Sequence, residues 1–172
     1  MIKLTGMVLL IVSCGLLGLY KSLEFSERVN SLTNLKWCFL MIRGDIRYQS
    51  APLPETFYRL SKKMEKRYGT IFCTLSEILR KKQGESFQTI WNEVWEQQEK
   101  QLFLQKEDIE VLKSFGESFG YLDREMQMNT LEYLLLQLEE QIKDAQIKKK
   151  EGQKLYQTLG VMGGFFLAIL FA

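Results

Sequence analysis

Few side chains in this sequence could do chemistry. Among its 172 residues there is no histidine. That removes Ser-His-Asp and Cys-His nucleophilic sites, His-ligated zinc and imidazole acid–base work. Three cysteines, Cys14, Cys38 and Cys73, stand far apart and form no C-x-x-C pair. They suggest neither a disulfide framework nor a thiolate metal cluster, and read as small buried hydrophobes. Glu107-Asp108-x-Glu110 lies where a helix should start, and carboxylates there complement the positive end of the helix dipole. Glu139-Glu140 falls on the polar side of a long helix, as a solvated pair. There is no Walker A motif, no G-x-G-x-x-G after a strand, no H-E-x-x-H and no calcium loop. The expectation is a protein without catalytic residues, cofactor or metal: not an enzyme.

The residues that remain point to contact. Phe115-Gly116-x-x-x-Gly120 sets two glycines about one helical turn apart, a helix-packing motif with a C-terminal stop. Gly160-x-x-x-Gly164 has the small-xxx-small spacing that lets membrane helices touch, and Gly6, Gly15 and Gly18 offer it a partner surface. Another subunit could take the same place, so a homo-oligomer stays open. The stretch 59–82 carries eight basic residues against two acidic ones, so it could face an acidic partner or lipid headgroups as well as solvent. Arg80-Lys81-Lys82 is its candidate partner-contact face. The formal net charge is only +2, which gives no reason to expect nucleic acid.

These residues must be positioned by helices. The chain has only 2 prolines, Pro52 and Pro54, so breakers are scarce. Residues 4–20 run for 17 positions without a charge, and residues 155–172 for 18. A bilayer-spanning helix needs about 17–25 mostly apolar residues, because its backbone polar groups must be satisfied within the segment. Both runs are therefore expected to be transmembrane helices. No small-residue cleavage site follows the first run. Ile11-Val12-Ser13-Cys14 loosely resembles a lipobox, yet the chain stays apolar past Cys14, where a lipid-anchored tether turns polar. Lys21, Arg28, Lys148, Lys149, Lys150 and Lys154 flank the inner ends of the runs, whereas Lys3 alone stands outside them. Basic flanks stay in the cytoplasm, so the middle of the chain should be cytosolic. Lys21 and the lysines at 148–150 and 154 would sit at the anionic membrane surface, contacting lipid.

Between the runs, residues 24–150 are long enough for one compact core. Leu32, Leu35, Phe39, Ile42 and Ile46 recur at steps of three and four, as do Met128, Leu131, Leu135, Leu138, Ile142 and Ala145. Each set is the apolar stripe of a long helix. The first continues from the N-terminal run without a breaker. Shorter stripes fill the interval: Leu53 to Met64, closed at Gly69; Ile71 to Leu79; Phe87 to Trp95, with Ser86 as N-cap; and Ile109 to Phe119, stopped at Gly120. Asp123 can cap the last helix. The expected fold is all-α: an antiparallel bundle of about six cytosolic helices, flanked by an N-terminal and a C-terminal transmembrane helix.

Further readings come from resemblance. Lys3-Leu4-x-Gly6 with its apolar run, the Arg28, Leu32 and Leu35 spacing, Ile46-x-Tyr48 and Pro52-Leu53-Pro54-Glu55 resemble the stage III sporulation protein AB family. So do Phe115-Gly116-x-x-x-Gly120, Asp123, Gln127 and Lys154-Leu155-Tyr156-x-x-Leu159-Gly160. The chain departs from the family at Gly44 and Ala51, so no role is carried over to those positions. The resemblance implies a component of the channel apparatus joining mother cell and forespore. The family is also similar to inner-membrane platform proteins of type II secretion and type IV pilus systems. By that analogy the chain is a non-enzymatic platform in the septal or engulfing membrane of the mother cell. Its bundle would dock other apparatus proteins, including an assembly ATPase. The alternative is a membrane-anchored regulatory or accessory protein with a generic helical interaction domain.

Overall fold

A computed structural model describes the backbone of residues 2–49, 52–81, 84–98, 101–119 and 123–170. Within those ranges it describes the side chains except at 2–19, 21, 49, 156, 157, 159–161 and 163–170. The described chain is helical, without a strand, in the order α1 (Ile2–Gln49), α2 (Leu53–Lys63), α3 (Lys66–Lys81), α4 (Phe87–Glu96), α5 (Lys106–Phe119) and α6 (Arg124–Leu170). The all-α class and the helical bundle are as expected. Among the described residues no helix is long and apolar enough to cross a membrane. The apolar runs 4–20 and 155–172 lie almost entirely on side chains outside that description, although the backbone of α1 continues through the first and that of α6 reaches Leu170 in the second.

The helix ends follow local chemistry. Pro52 is extended, and its carbonyl accepts from the amides of Glu55 and Thr56 at 3.0 and 3.1 Å, which starts α2 directly after the proline. Ser86 Oγ accepts from the amide of Thr89 at 3.2 Å and caps α4. Asp123 Oδ1 accepts from the amide of Met126 at 2.9 Å and caps α6. Asp108 does more than complement a dipole. It is fully buried, and its Oδ2 accepts from the amide of Gln105 at 2.9 Å, folding the carboxylate back onto the entry of α5.

One expected boundary is wrong. Gly69 does not close the second cytosolic stripe; it lies inside α3, and the break falls at Met64 and Glu65. A Cβ at Gly69 would stand 2.6 Å from the carbonyl oxygen of Ser61. Gly69 therefore serves close approach of α3 to α2, not termination.

The chain divides into two compact units, Ser31–Ile142 and Met1–Asn30 with Lys143–Ala172. In the first, α2 packs on α3, α3 on α4 and α4 on α5. Its centre is aromatic. Trp91 lies among the rings of Phe39, Phe57, Phe87, Trp95 and Phe115, with centroids 5.3–6.2 Å away. Such tilted pairs contribute about 0.5–1.5 kcal/mol each beyond their area burial. Polar ties join α1 to this core: Tyr68 donates to Ser31 Oγ at 3.4 Å, and Asp45 pairs with Arg59 at 3.2 Å.

The second unit is held differently. Phe25 of α1 sits over Gly152 of α6, where a Cβ would come within 2.7 Å of the ring. Gln153 donates to Ser26 Oγ at 3.5 Å. Arg28 is buried, with its guanidinium 3.3 Å from Asp144 Oδ2.

Candidate interaction surfaces

The motif Phe115-Gly116 is a packing device. Trp91 lies across α5 so closely that a Cβ at Gly116 would meet its Cδ1 at 2.3 Å. Glycine lets the indole reach the carbonyl of Leu112, to which Nε1 donates at 2.6 Å within the core. A carbonyl has two lone pairs, so it can serve both its helix and the indole. Phe115 stacks on Phe119 at 4.4 Å, while Gly120 lies outside the described residues.

The cysteines behave as space-fillers where they are described. Cys38 is fully buried, and burial pushes its thiol up to about 12. A thiol that weak an acid is not a nucleophile near neutral pH. Cys73 is half-buried, with Sγ 3.8 Å from Glu77 Oε1. Among the described residues no three His, Cys, Asp or Glu side chains come together as metal ligands.

The basic residues fall into three settings. At the α1–α6 pair of the second unit, Lys148 stands 2.9 Å from Asp144. Lys148 and Arg28 together hold the Asp144 carboxyl below the usual carboxylate range, Lys148 acting most strongly through its hydrogen bond. Lys150 and Lys154 are exposed and Lys149 is half-buried; the Lys21 side chain lies outside the described residues. Along the bundle, Lys36 pairs with Glu139 at 3.3 Å, so Glu139 is not merely solvated.

The third setting is the α2–α3 edge. Arg80 and Lys81 are both exposed there, and Lys82 lies outside the described residues. The Arg80 guanidinium carbon stands 5.3 Å from the centre of the Tyr58 ring, and Lys62 Nζ stands 5.2 Å from the same centre. Tyr58 and Lys62 were not singled out from the sequence. Their i, i+4 spacing on α2 was visible, but the arrival of Arg80 depends on α3 folding back. Separately, α3 and α4 flank an open groove of about 610 Å³, lined in part by Lys66, Thr70, Gln97 and Gln98.

Apart from Tyr58, the large exposed apolar side chains of this unit are on the long helices: Trp37, Met41 and Tyr48 on α1, and Met126, Tyr133 and Leu136 on α6. Gly44, between Met41 and Tyr48, has open space where a Cβ would project. The glycines at 15, 18, 160 and 164 lie outside the described side-chain positions.

Comparison with known proteins agrees with this architecture. The family described as stage III sporulation protein AB matches residues 3–172. Stage III sporulation protein AB of Bacillus subtilis (strain 168) is 28% identical over 170 residues, covering 99% of this chain and 99% of that protein. A solved structure of stage III sporulation protein AB superposes with a TM-score of 0.66 at 28% identity, covering 73% of this chain and 98% of that one. With nearly the whole chain matched, and the same helical fold found in a solved relative, the chain belongs to the stage III sporulation protein AB family.

Proposed function

We propose that the protein is a non-enzymatic platform of the sporulation apparatus, anchored in the mother-cell membrane by both ends and presenting its helical bundle in the cytoplasm. Family membership carries the role in sporulation. The observation that carries the platform reading is the placement of charge: charge-free runs at 4–20 and 155–172 bracket a bundle whose basic flanks, Lys3 apart, lie on the inner side. The bundle's chemistry supports docking rather than turnover. The buried Trp91 indole and Asp108 carboxylate serve core packing and a helix start, and Lys62, Arg80 and Lys81 stand exposed at the surface. On this reading the partners are other apparatus proteins, including an assembly ATPase, with Arg80, Lys81 and Lys82 on the contact face. Lipid headgroups meet Lys21, Lys150 and Lys154.

The α1–α6 register supports contact between the apolar ends. Phe25 opposes Gly152 and Ser26 opposes Gln153. On this reading Gly15 and Gly18 of the first apolar run pack against Gly160 and Gly164 of the second, through the small-residue spacing that lets membrane helices touch.

The test is fractionation of sporulating cells, with reporter fusions at the C-terminus and capture of associated proteins. The expected result is a membrane-bound chain with an external C-terminus that brings down the apparatus ATPase. Recovery in the soluble fraction, or a membrane-bound chain that never accompanies apparatus proteins, overturns the reading.

A further inference from the structure

We propose that Tyr58, Lys62 and Arg80 form a clasp for an acidic segment of a protein partner. The inference rests on the platform reading and supplies the chemistry of its contact. Two cations approach one aromatic ring, Lys62 from the same helix and Arg80 from α3, at 5.2 and 5.3 Å from its centre. Like charges drawn to one point repel each other, and the ring's quadrupole offsets that only in part. A counter-charge would complete the arrangement. Among the described residues Lys62, Lys63, Arg80 and Lys81 make no ion pair that would supply it. Arg59, on the same helix beside Tyr58, is already committed to Asp45. Neighbouring Glu77 is turned toward the Cys73 thiol.

Carboxylates fit this site because a guanidinium and an ammonium gathered at one ring can each take one acidic side chain, while the Tyr58 ring offers apolar surface to the stem between them. A membrane surface fits it less well. Cationic surfaces that lie on lipid add large apolar side chains that enter the headgroup boundary. On α2 and α3, Tyr58 is the one large apolar side chain exposed among the described residues.

The experiment uses the full chain in nanodiscs of neutral phosphatidylcholine, titrated into a fluorescein-labelled hexaglutamate peptide and read by anisotropy. The expected result is salt-sensitive binding that weakens roughly tenfold or more in the Lys62→Glu/Arg80→Glu double variant. Tyr58→Leu should weaken it a few-fold, roughly, by removing the ring that gathers the cations while keeping apolar bulk. Arg80→Lys should retain most of the binding. Far-UV dichroism establishes that the variants keep their helices. Unchanged affinity in the double variant overturns the clasp. So does an equal loss in Lys106→Glu/Lys113→Glu, because binding would then follow net charge alone. If the double variant loses flotation with phosphatidylglycerol vesicles but keeps the peptide, the edge serves lipid and the clasp is wrong. A chain that binds the peptide yet fractionates as soluble from cells overturns the platform reading and leaves the clasp standing.

Discussion

The two units close their helices by different means. In Ser31–Ile142, rings fill the centre, and Gly116 lets Trp91 lie against the backbone of α5. In the unit formed by the chain ends, one ring lies on Gly152 and a buried guanidinium meets a carboxylate. The glycine device is common to both; what surrounds it is not. Aromatic packing excludes water and is indifferent to salt. An ion pair whose acid is 44% exposed is partly screened, so it specifies register more than it adds stability.

The sharpest way to break this contrast is at Trp91. Trp91→Ala should destabilise the bundle by about 3–5 kcal/mol, since it removes a fully buried side chain and its bond to Leu112. Denaturant unfolding of the detergent-solubilised chain, followed by helical dichroism, measures it. A loss below about 1 kcal/mol would mean that the rings are interchangeable filler.

Arg28→Met should cost far less, about 1 kcal/mol, because methionine keeps most of the buried stem and Lys148 still serves Asp144. The same unfolding assay reads it, with added salt as a second variable. A cost matching that of Trp91→Ala would erase the distinction between the units. Cap losses come next: Ser86→Ala should lower stability by about 1 kcal/mol, and hydrogen exchange should rise first in the opening turn of α4.

The smallest effect is on pH. Asp144 is held below its ordinary range, chiefly by Lys148. Its contribution is therefore present in full above the unfolded carboxylate value of about 4 and disappears as pH falls through the lower folded value. Lys148→Gln should move the Asp144 titration upward, observed by carboxyl-carbon NMR. A titration that stays put would show that Lys148 does not set it.

Much of the bundle was legible before any coordinates. The three-and-four stripes located the long helices because burial on one face of a helix must recur at that period. Ser86 and Asp123 were readable as caps because their short acceptor side chains suit the free amides that open a helix. Gly69 misled, since a glycine between apolar stripes reads equally well as a stop or as a point of close approach. Only the proximity of Ser61 decides it. Asp108 was legible as a helix-start acid, but its complete burial was not, because burial depends on what packs above it. Arg28 was noted as a basic flank, and nothing local marked it as the buried half of an ion pair with a residue more than a hundred positions away.

From the amino-acid order alone came the all-helical class, the two charge-free runs, the lack of histidine and the family resemblance. These rest on local periodicity, composition and motif, which need no knowledge of distant neighbours. Folding alone determined which glycine admits which ring, where Arg28 finds its acid, and that Arg80 joins Lys62 over Tyr58. Each of these pairs residues that are far apart in the chain, and only the packing of helices brings such groups within a few ångströms.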